Sequence, residues 1–241
     1  MGFTDRVKQG FQAVQRLGQK AVSSVSRVGK KVDNAIREKF TGGANVSQMD
    51  AEEKRAAWMS NEAYSHPDNR AEQFEGYNYD RSLSDKRTAV YHNPSSKKSH
   101  ISYRGTADAS DLPADHMIMK GTQQQHGHFK DALHKHDQVK KKYQSKIELS
   151  GHSLGGSKAE YVSQKRNVKA HTFNQGTGLS SVKDNLRCRG AKKAGWCDKI
   201  TRHTTKGDII SMLNPFSYGK TKHYKTEGLK SHFISNYLPN A

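Results

Sequence analysis

The pentapeptide Gly151-His152-Ser153-Leu154-Gly155 decides which fold we expect for this chain. It follows Lys146-Ile147-Glu148-Leu149-Ser150, where polar and apolar residues alternate as in a short strand. Residues 157–164 then continue without Gly or Pro, as a helix does. A serine between strand and helix, with glycine two positions to either side, is the pattern of a nucleophile elbow, because the tight turn leaves no room for larger neighbours. The stretch therefore predicts a nucleophilic Ser153.

The pentapeptide needs its context, because Gly-x-Ser-x-Gly arises often by chance in a chain with 20 glycines. Before the strand, residues 129–143 place Phe129, Leu133, Val139 and Tyr143 near one face of a helix. A helix, a strand, a glycine-rich turn and a second helix form the unit of a mostly parallel sheet. The predicted fold class is therefore α/β.

Composition limits the classes of function. Only 32% of the 241 residues are hydrophobic, so we expect a small core. A formal net charge of +18 favours an anionic partner, which would be nucleic acid, an anionic membrane or an acidic protein. The sequence contains no run of 18 apolar residues and no apolar signal-peptide core. We therefore expect a protein synthesised in the cytoplasm that does not span a bilayer.

Residues 1–40 differ from the rest of the chain. Apolar residues recur there at steps of three to five, which predicts one long amphipathic helix. Nine basic residues against three acidic ones give the segment a net charge of +6. Residues 41–45 read as a helix stop and linker, and residues 46–241 as the globular domain.

Two interpretations of residues 1–40 are open. The helix docks on its own domain or on a partner protein such as a capsid, or it lies on a lipid or phospholipid membrane, as its basic polar face and apolar stripe suggest. Nucleic acid is the less favoured partner of this segment, because hardly any aromatic residues are placed for base stacking.

Neither the cysteines nor the clustered histidines predict a metal site. Cys188 and Cys197 lack the paired spacing of a zinc site; a single hairpin disulfide is possible, and two reduced thiols are the plainer interpretation. His134 and His136 diverge on a helix and no nearby Cys or Glu completes a ligand set. We expect neither metal nor cofactor.

Several blocks in order resemble the class 3 lipase family of α/β-hydrolases, over roughly residues 85–238. The resemblance implies an α/β-hydrolase fold, with a mostly parallel sheet flanked by helices, preceded here by the amphipathic N-terminal helix. The elbow matches the family at every position, whereas the fourth block lacks the usual proline. The blocks are Tyr103-Arg104-Gly105-Thr106, His126-Gly127-His128-Phe129, Gly151-His152-Ser153-Leu154-Gly155-Gly156, Thr172-Phe173-Asn174-Gln175-Gly176 and Thr205-Lys206-Gly207-Asp208-Ile209-Ile210.

The resemblance also implies roles for individual residues. Ser153 would be the nucleophile, Asp208 the acid and a later histidine the base, in the chain order of this fold. His232 is preferred as the base, because the stretch that begins at His232 resembles the family's terminal loop. His223 is the alternative base. The oxyanion hole would be formed at Leu154 and Thr106.

Two functions from different classes fit these observations. The first is a serine esterase acting on lipid esters, a triacylglycerol lipase or phospholipase. Such an enzyme, held at the membrane by residues 1–40, would breach or remodel membranes as a virion-carried or effector protein. The second is an inactive hydrolase fold that serves as a structural protein and binds a capsid, a scaffold or nucleic acid through its basic surface.

Overall fold

The computed structural model describes residues 48–106, 127–176, 188, 195–206, 208, 219–225 and 234–238. The predicted helix over residues 1–40 and the linker over residues 41–45 lie outside these ranges. The described helices are α1 (Ala51–Glu62), α2 (Gly127–Tyr143) and α3 (Leu154–Arg166). The strands are β1 (Gln73–Phe74), β2 (Tyr77–Tyr79), β3 (Thr88–Asn93), β4 (Lys98–Tyr103), β5 (Lys146–His152), β6 (Lys169–Phe173), β7 (Ile200–Thr205) and β8 (Lys220–Tyr224).

These eight strands form one sheet in which each strand pairs with its neighbours in the chain, in the order β1 to β8. Strands β1 to β4 are antiparallel, and β4 to β8 are parallel. The parallel half brings the carboxyl ends of β4, β5, β6 and β7 to one edge, which is where open α/β sheets carry their sites. The predicted mostly parallel sheet flanked by helices is confirmed.

Helices α2 and α3 pack on the apolar face of the sheet. The main core lies between these two helices and the sheet. It includes four fully buried residues, Ile101, Leu149, Val139 and Val162. Helix α1 and the 3-10 turn Ile234–Tyr237 cover the other face. The fold therefore has three layers, with the sheet in the middle.

The face beneath α1 is buried but largely polar. His100 bonds to the Ser150 hydroxyl at 2.8 Å, and that hydroxyl bonds to the Ser102 hydroxyl at 3.0 Å. On the next strand, His171 contacts Glu52 of α1 at 2.8 Å. Because buried polar groups are tolerated when they hydrogen-bond to one another, this layer accounts for the low hydrophobic content of the chain.

Helix α1 is fixed at both ends. Asp50 and Glu53 form a capping box, each side chain accepting a hydrogen bond from the other residue's backbone N–H. At the other end, the buried Arg70 guanidinium donates to the carbonyl oxygens of Glu62, Ala63 and Thr88. Tyr64, two positions beyond the end of the helix, is thereby held in place.

Two further findings concern the whole fold. Cys188 and Cys197 form a disulfide, so the plainer expectation of two reduced thiols is wrong. In the ranges given above, no helix combines the length and the apolar character needed to cross a bilayer.

Candidate active site

Ser153 lies at the junction of β5 and α3 in a strained backbone conformation. Its φ of 55° and ψ of −125° place a non-glycine residue in a sparsely populated region. The Ser153 N–H donates to the Phe173 carbonyl at 3.0 Å, and the Ser153 carbonyl accepts from the Ser157 N–H at 3.2 Å. The side chain is half-buried. This is the geometry that the elbow pattern predicts.

The glycines of the elbow permit this close packing. A Cβ on Gly155 would lie 1.9 Å from the Tyr103 carbonyl oxygen, so no side chain fits where α3 meets the end of β4. A Cβ on Gly151 would lie 2.3 Å from the Gly155 carbonyl oxygen. Both positions therefore require glycine, because the obstacle in each case is backbone.

The turn after β4 lies against the elbow. A Cβ on Gly105 would be 3.2 Å from the Ser153 Cβ and 2.7 Å from the His152 carbonyl oxygen, so Thr106 follows directly on a residue that contacts the elbow. Lys158 of α3, whose side chain is buried, donates to the Arg104 carbonyl at 3.0 Å. Helix α3 therefore positions both Ser153 and the turn carrying Thr106. No sequence pattern marks Lys158.

Tyr64 is a second residue that the sequence analysis missed. Its hydroxyl lies 2.8 Å from His152 Nδ1, and the two rings are T-shaped with centroids 5.8 Å apart. The same hydroxyl lies 2.2 Å from where a Gly105 Cβ would be. Tyr64 thus connects α1 to the residue before Ser153. No local pattern marks it, because its partner is 88 positions away in the sequence.

Asp208 lies just beyond the carboxyl end of β7. It is 1% exposed, and its N–H donates to the Thr205 carbonyl at 3.3 Å. The Asn174 side-chain oxygen accepts from the Thr205 N–H at 2.9 Å and from the Tyr237 hydroxyl at 2.8 Å. Burial and the nearby Asp208 carboxylate hold the pKa of Tyr237 well above its ordinary value. The acid candidate is therefore embedded in a tightly bonded end of the sheet.

The two histidine candidates differ in what the structure describes. His223 lies on β8 with an exposed side chain, and its Nδ1 is 2.9 Å from the Thr204 hydroxyl. The strand register places His223 level with Ser153, three strands away along the sheet. At about 4.8 Å per strand, the backbones are roughly 14 Å apart. His232 lies outside the described residues.

One cluster in the described part of the chain has metal-ligand chemistry. Ligand atoms of Glu53, His171 and His203 lie within 4.8 Å of one another. Each residue already has a protein partner: Glu53 pairs with Lys222, His171 with Glu52 and His203 with the Tyr224 hydroxyl. Burial lowers the pKa of His203 well below its ordinary value, which keeps its ring neutral. These contacts account for the cluster as part of the polar layer under α1.

The fold is that of lipases of known structure. A fungal lipase solved with an inhibitor has a TM-score of 0.50 at 19% identity, over 71% of this chain and 77% of that chain. A deletion variant of the Rhizomucor miehei lipase in complex with its propeptide has a TM-score of 0.50 at 17% identity, over 75% and 68% of the two chains. A lipase of Yarrowia lipolytica gives 0.46 at 18% identity, over 76% and 84%. At such identities the first two likenesses establish the α/β-hydrolase fold and nothing more.

The sequence itself shows which family the chain belongs to. None of the curated proteins compared with the chain matches it. The phospholipase-like family described as the Tle-like phospholipase domain matches residues 50–236, which is most of the chain and contains the elbow, Thr106 and Asp208. The resemblance to class 3 lipases is thereby confirmed. The chain belongs to the family of Tle-like phospholipase domains, and its chemistry is the hydrolysis of lipid esters.

Proposed function

We propose that the chain is a phospholipase that uses a Ser153, His232 and Asp208 triad. The observation that carries the proposal is the strained Ser153 turn at the junction of β5 and α3. Strain of this kind persists only where the surroundings enforce it, and here it presents a hydroxyl at the carboxyl edge of the sheet. A structural protein of the same fold has no need of such a turn, which argues against the second function.

The chemical roles follow from ester hydrolysis. His232 takes the proton of the Ser153 hydroxyl as that oxygen attacks the ester carbonyl, and later gives it to the departing alcohol. Asp208 holds the imidazole in the required tautomer and stabilises its cation. The burial of Asp208 at the end of β7 supports this role, because the carboxylate is shielded from water.

The choice of His232 as base is supported by the position of the alternative. His223 is three strands from Ser153 and contacts Thr204, so its ring does not reach the nucleophile without moving β8. Both histidines follow Asp208 in the chain, which is the order Ser, Asp, His that this fold requires, so position along the sheet decides between them.

Negative charge on the carbonyl oxygen would be stabilised by the N–H groups of Leu154 and Thr106. Leu154 opens α3, where unpaired N–H groups point outward. Thr106 follows Gly105, which lies against the elbow. Each such donor contributes about 3 kcal/mol to transition-state stabilisation.

The lipid surface is the expected site of action. The net charge of +18 attracts anionic headgroups, and residues 1–40 would add an amphipathic anchor. A phospholipase held at a bilayer in this way would breach or remodel it, the role expected of a virion-carried or effector protein.

The test is fatty-acid release from phospholipid vesicles by the full chain. Ser153→Ala should lower turnover by at least about 10³-fold while leaving the unfolding transition unchanged. The matched control is Ser163→Ala, a buried serine later in α3 that bonds to Val168. Turnover by Ser153→Ala equal to that of the Ser163→Ala control would refute the nucleophile.

The base is tested with two substitutions. His232→Ala should abolish turnover, whereas His223→Ala should retain most of it, because only one imidazole lies between serine and carboxylate. The opposite ranking would assign the base to His223.

A further inference from the structure

The edge of the sheet opposite Ser153 is strongly basic. Strands β4 to β8 are parallel, so their amino ends share that edge, and helices α2 and α3 end there because they run back against the strands. Several exposed lysines lie along it, and six of them have neither a carboxylate nor a carbonyl partner among the described residues. The six lie at strand starts, in the turn before β4 and in the last turns of the helices. We call this surface the lysine edge; it consists of Lys97, Lys141, Lys146, Lys165, Lys199 and Lys220.

These six lysines form no ion pair with a carboxylate in the described part of the chain, and their neighbour Lys140 donates to the Ser145 carbonyl. Four other basic residues at the same edge are each paired with an acid: Lys98 with Glu148, Lys142 with Asp80, Arg166 with Asp137 and Lys169 with Glu52. The acids there are therefore largely neutralised, which leaves an excess of positive charge.

The fold needs only some of these lysines. Lys141 and Lys165 lie in the last turns of their helices, where a positive charge stabilises the helix dipole. Lys146, Lys199 and Lys220 lie at or beside the starts of strands, where no such dipole acts. Their concentration at one edge has no evident structural cause.

The residues of this edge select among anionic partners. The aromatic rings near this edge are occupied, since Tyr143 stacks on His92 at 3.8 Å, Tyr161 packs against Phe129 and Trp196 is buried. The described residues therefore offer no platform for stacking single-stranded bases. Insertion into a bilayer requires apolar side chains, and the lysine edge consists of lysines alone. Lysine is also depleted in protein interfaces, whose energy comes from aromatic and arginine anchors.

A duplex backbone needs none of these features. Its affinity comes from lysine and arginine contacts to phosphates, and it requires no apolar anchor. The row of strand starts from β4 to β8 spans about 19 Å, at roughly 4.8 Å per strand. A duplex carries about one phosphate charge per 1.7 Å of axis over both strands, so a segment of this length carries about eleven, part of which face the row.

We propose that the lysine edge binds the phosphate backbone of double-stranded nucleic acid without reading its sequence. The edge lies about 20 Å from Ser153, one strand length away, so it is separate from the lipid-facing edge and both can be occupied at once. It also lies outside residues 1–40, the segment for which nucleic acid was the less favoured partner.

The test uses the full chain with Lys146, Lys165 and Lys220 all changed to Gln. Binding to a fluorescent mixed-sequence DNA duplex is measured by anisotropy between 50 and 200 mM NaCl. Affinity at 100 mM salt should fall at least tenfold. The plot of log affinity against log salt should become shallower by about 2 to 3, because each lost phosphate contact removes about 0.9 from the slope.

The matched control removes the same charge from the opposite edge. Lys86, Lys130 and Lys225 are exposed and lie before β3, in the first turn of α2 and after β8. Changing these three to Gln should alter affinity less than threefold. Residues 1–40 are present in both variants, so they do not affect the comparison.

Three results would overturn the proposal. The first is equal duplex affinity and salt slope in the two variants. The second is competition by polyglutamate: if it displaces the labelled duplex at the same concentration of negative charge as an unlabelled duplex does, the partner would be an acidic protein. Selective loss of binding to anionic phosphatidylserine vesicles, with duplex binding intact, would also reject it in favour of a membrane.

Discussion

Replacing Tyr64 by Phe tests whether α1 contributes to catalysis. The substitution removes one hydroxyl, which lies 2.8 Å from His152 Nδ1, and keeps the half-buried ring against His152. One hydrogen bond of this kind contributes about 1 kcal/mol. If that energy orients the elbow in the transition state, kcat should fall about fivefold, since about 1.4 kcal/mol corresponds to tenfold. KM should stay within a factor of two, because we place Tyr64 behind the elbow rather than against substrate.

The control for Tyr64→Phe is Tyr91→Phe. The Tyr91 hydroxyl donates to the Ala71 carbonyl at 3.2 Å, in the cluster that α1 forms with β2 and β3. Its loss should lower stability by a similar amount and leave kcat unchanged. Steady-state kinetics on a soluble short-chain ester and urea unfolding supply both readings. Equal kcat values for the two variants would refute the reasoning, because Tyr64 would then only stabilise the fold.

Three further outcomes are expected. Gly155→Ala should abolish turnover and lower the unfolding free energy by more than about 2 kcal/mol, because its Cβ meets the Tyr103 carbonyl oxygen at 1.9 Å. The control is Gly127→Ala, because a Cβ at Gly127 has nothing within 4 Å. Equal urea midpoints for the two variants would contradict the expected loss of stability. Burial lowers the pKa of His100 to about 3, so the unfolded chain takes up a proton below about pH 6.5 that the folded chain refuses. Stability should therefore fall as the pH drops from 6.5 towards 3, by up to about 1.4 kcal/mol per pH unit for this residue, and urea unfolding of His100→Gln should show a shallower fall. Deleting residues 1–40 should leave hydrolysis of a soluble ester unchanged and sharply reduce activity on anionic vesicles in low salt; equal vesicle binding by both proteins would favour docking on a protein instead.

A strand in which polar and apolar residues alternate can be predicted from the sequence, whereas the buried polar layer under α1 cannot. In β5, Ile147 and Leu149 face the apolar core, while Glu148 and Ser150 are also buried beneath α1. A sequence pattern marks such residues as solvent-facing, because burial of polar groups depends on partners on other strands. We expected a small core for the same reason, because polar residues that the fold buries do not look like core residues in the sequence.

The site shows a similar division. Ser153 was predictable because the elbow is a local pattern in which the neighbouring glycines are required by the turn. Tyr64 and Lys158 were not, since their roles depend on contacts with distant parts of the chain. The strands β1, β2 and β8 are too short or too polar for a sequence pattern to mark them.

The sequential order of the strands has a consequence for how the chain is made. Each strand pairs with the one before it, so a ribosome would release strands in the order in which the sheet grows. Growth ends with the turn Ile234–Tyr237, whose Tyr237 hydroxyl bonds to Asn174 and to the His203 carbonyl. A nascent chain would thus hold the eight described strands before residues 234–238 lock the end that carries Asp208. Such vectorial assembly would delay hydrolytic competence until residues 234–238 have been made, and activity measured on stalled chains lacking them would reveal it.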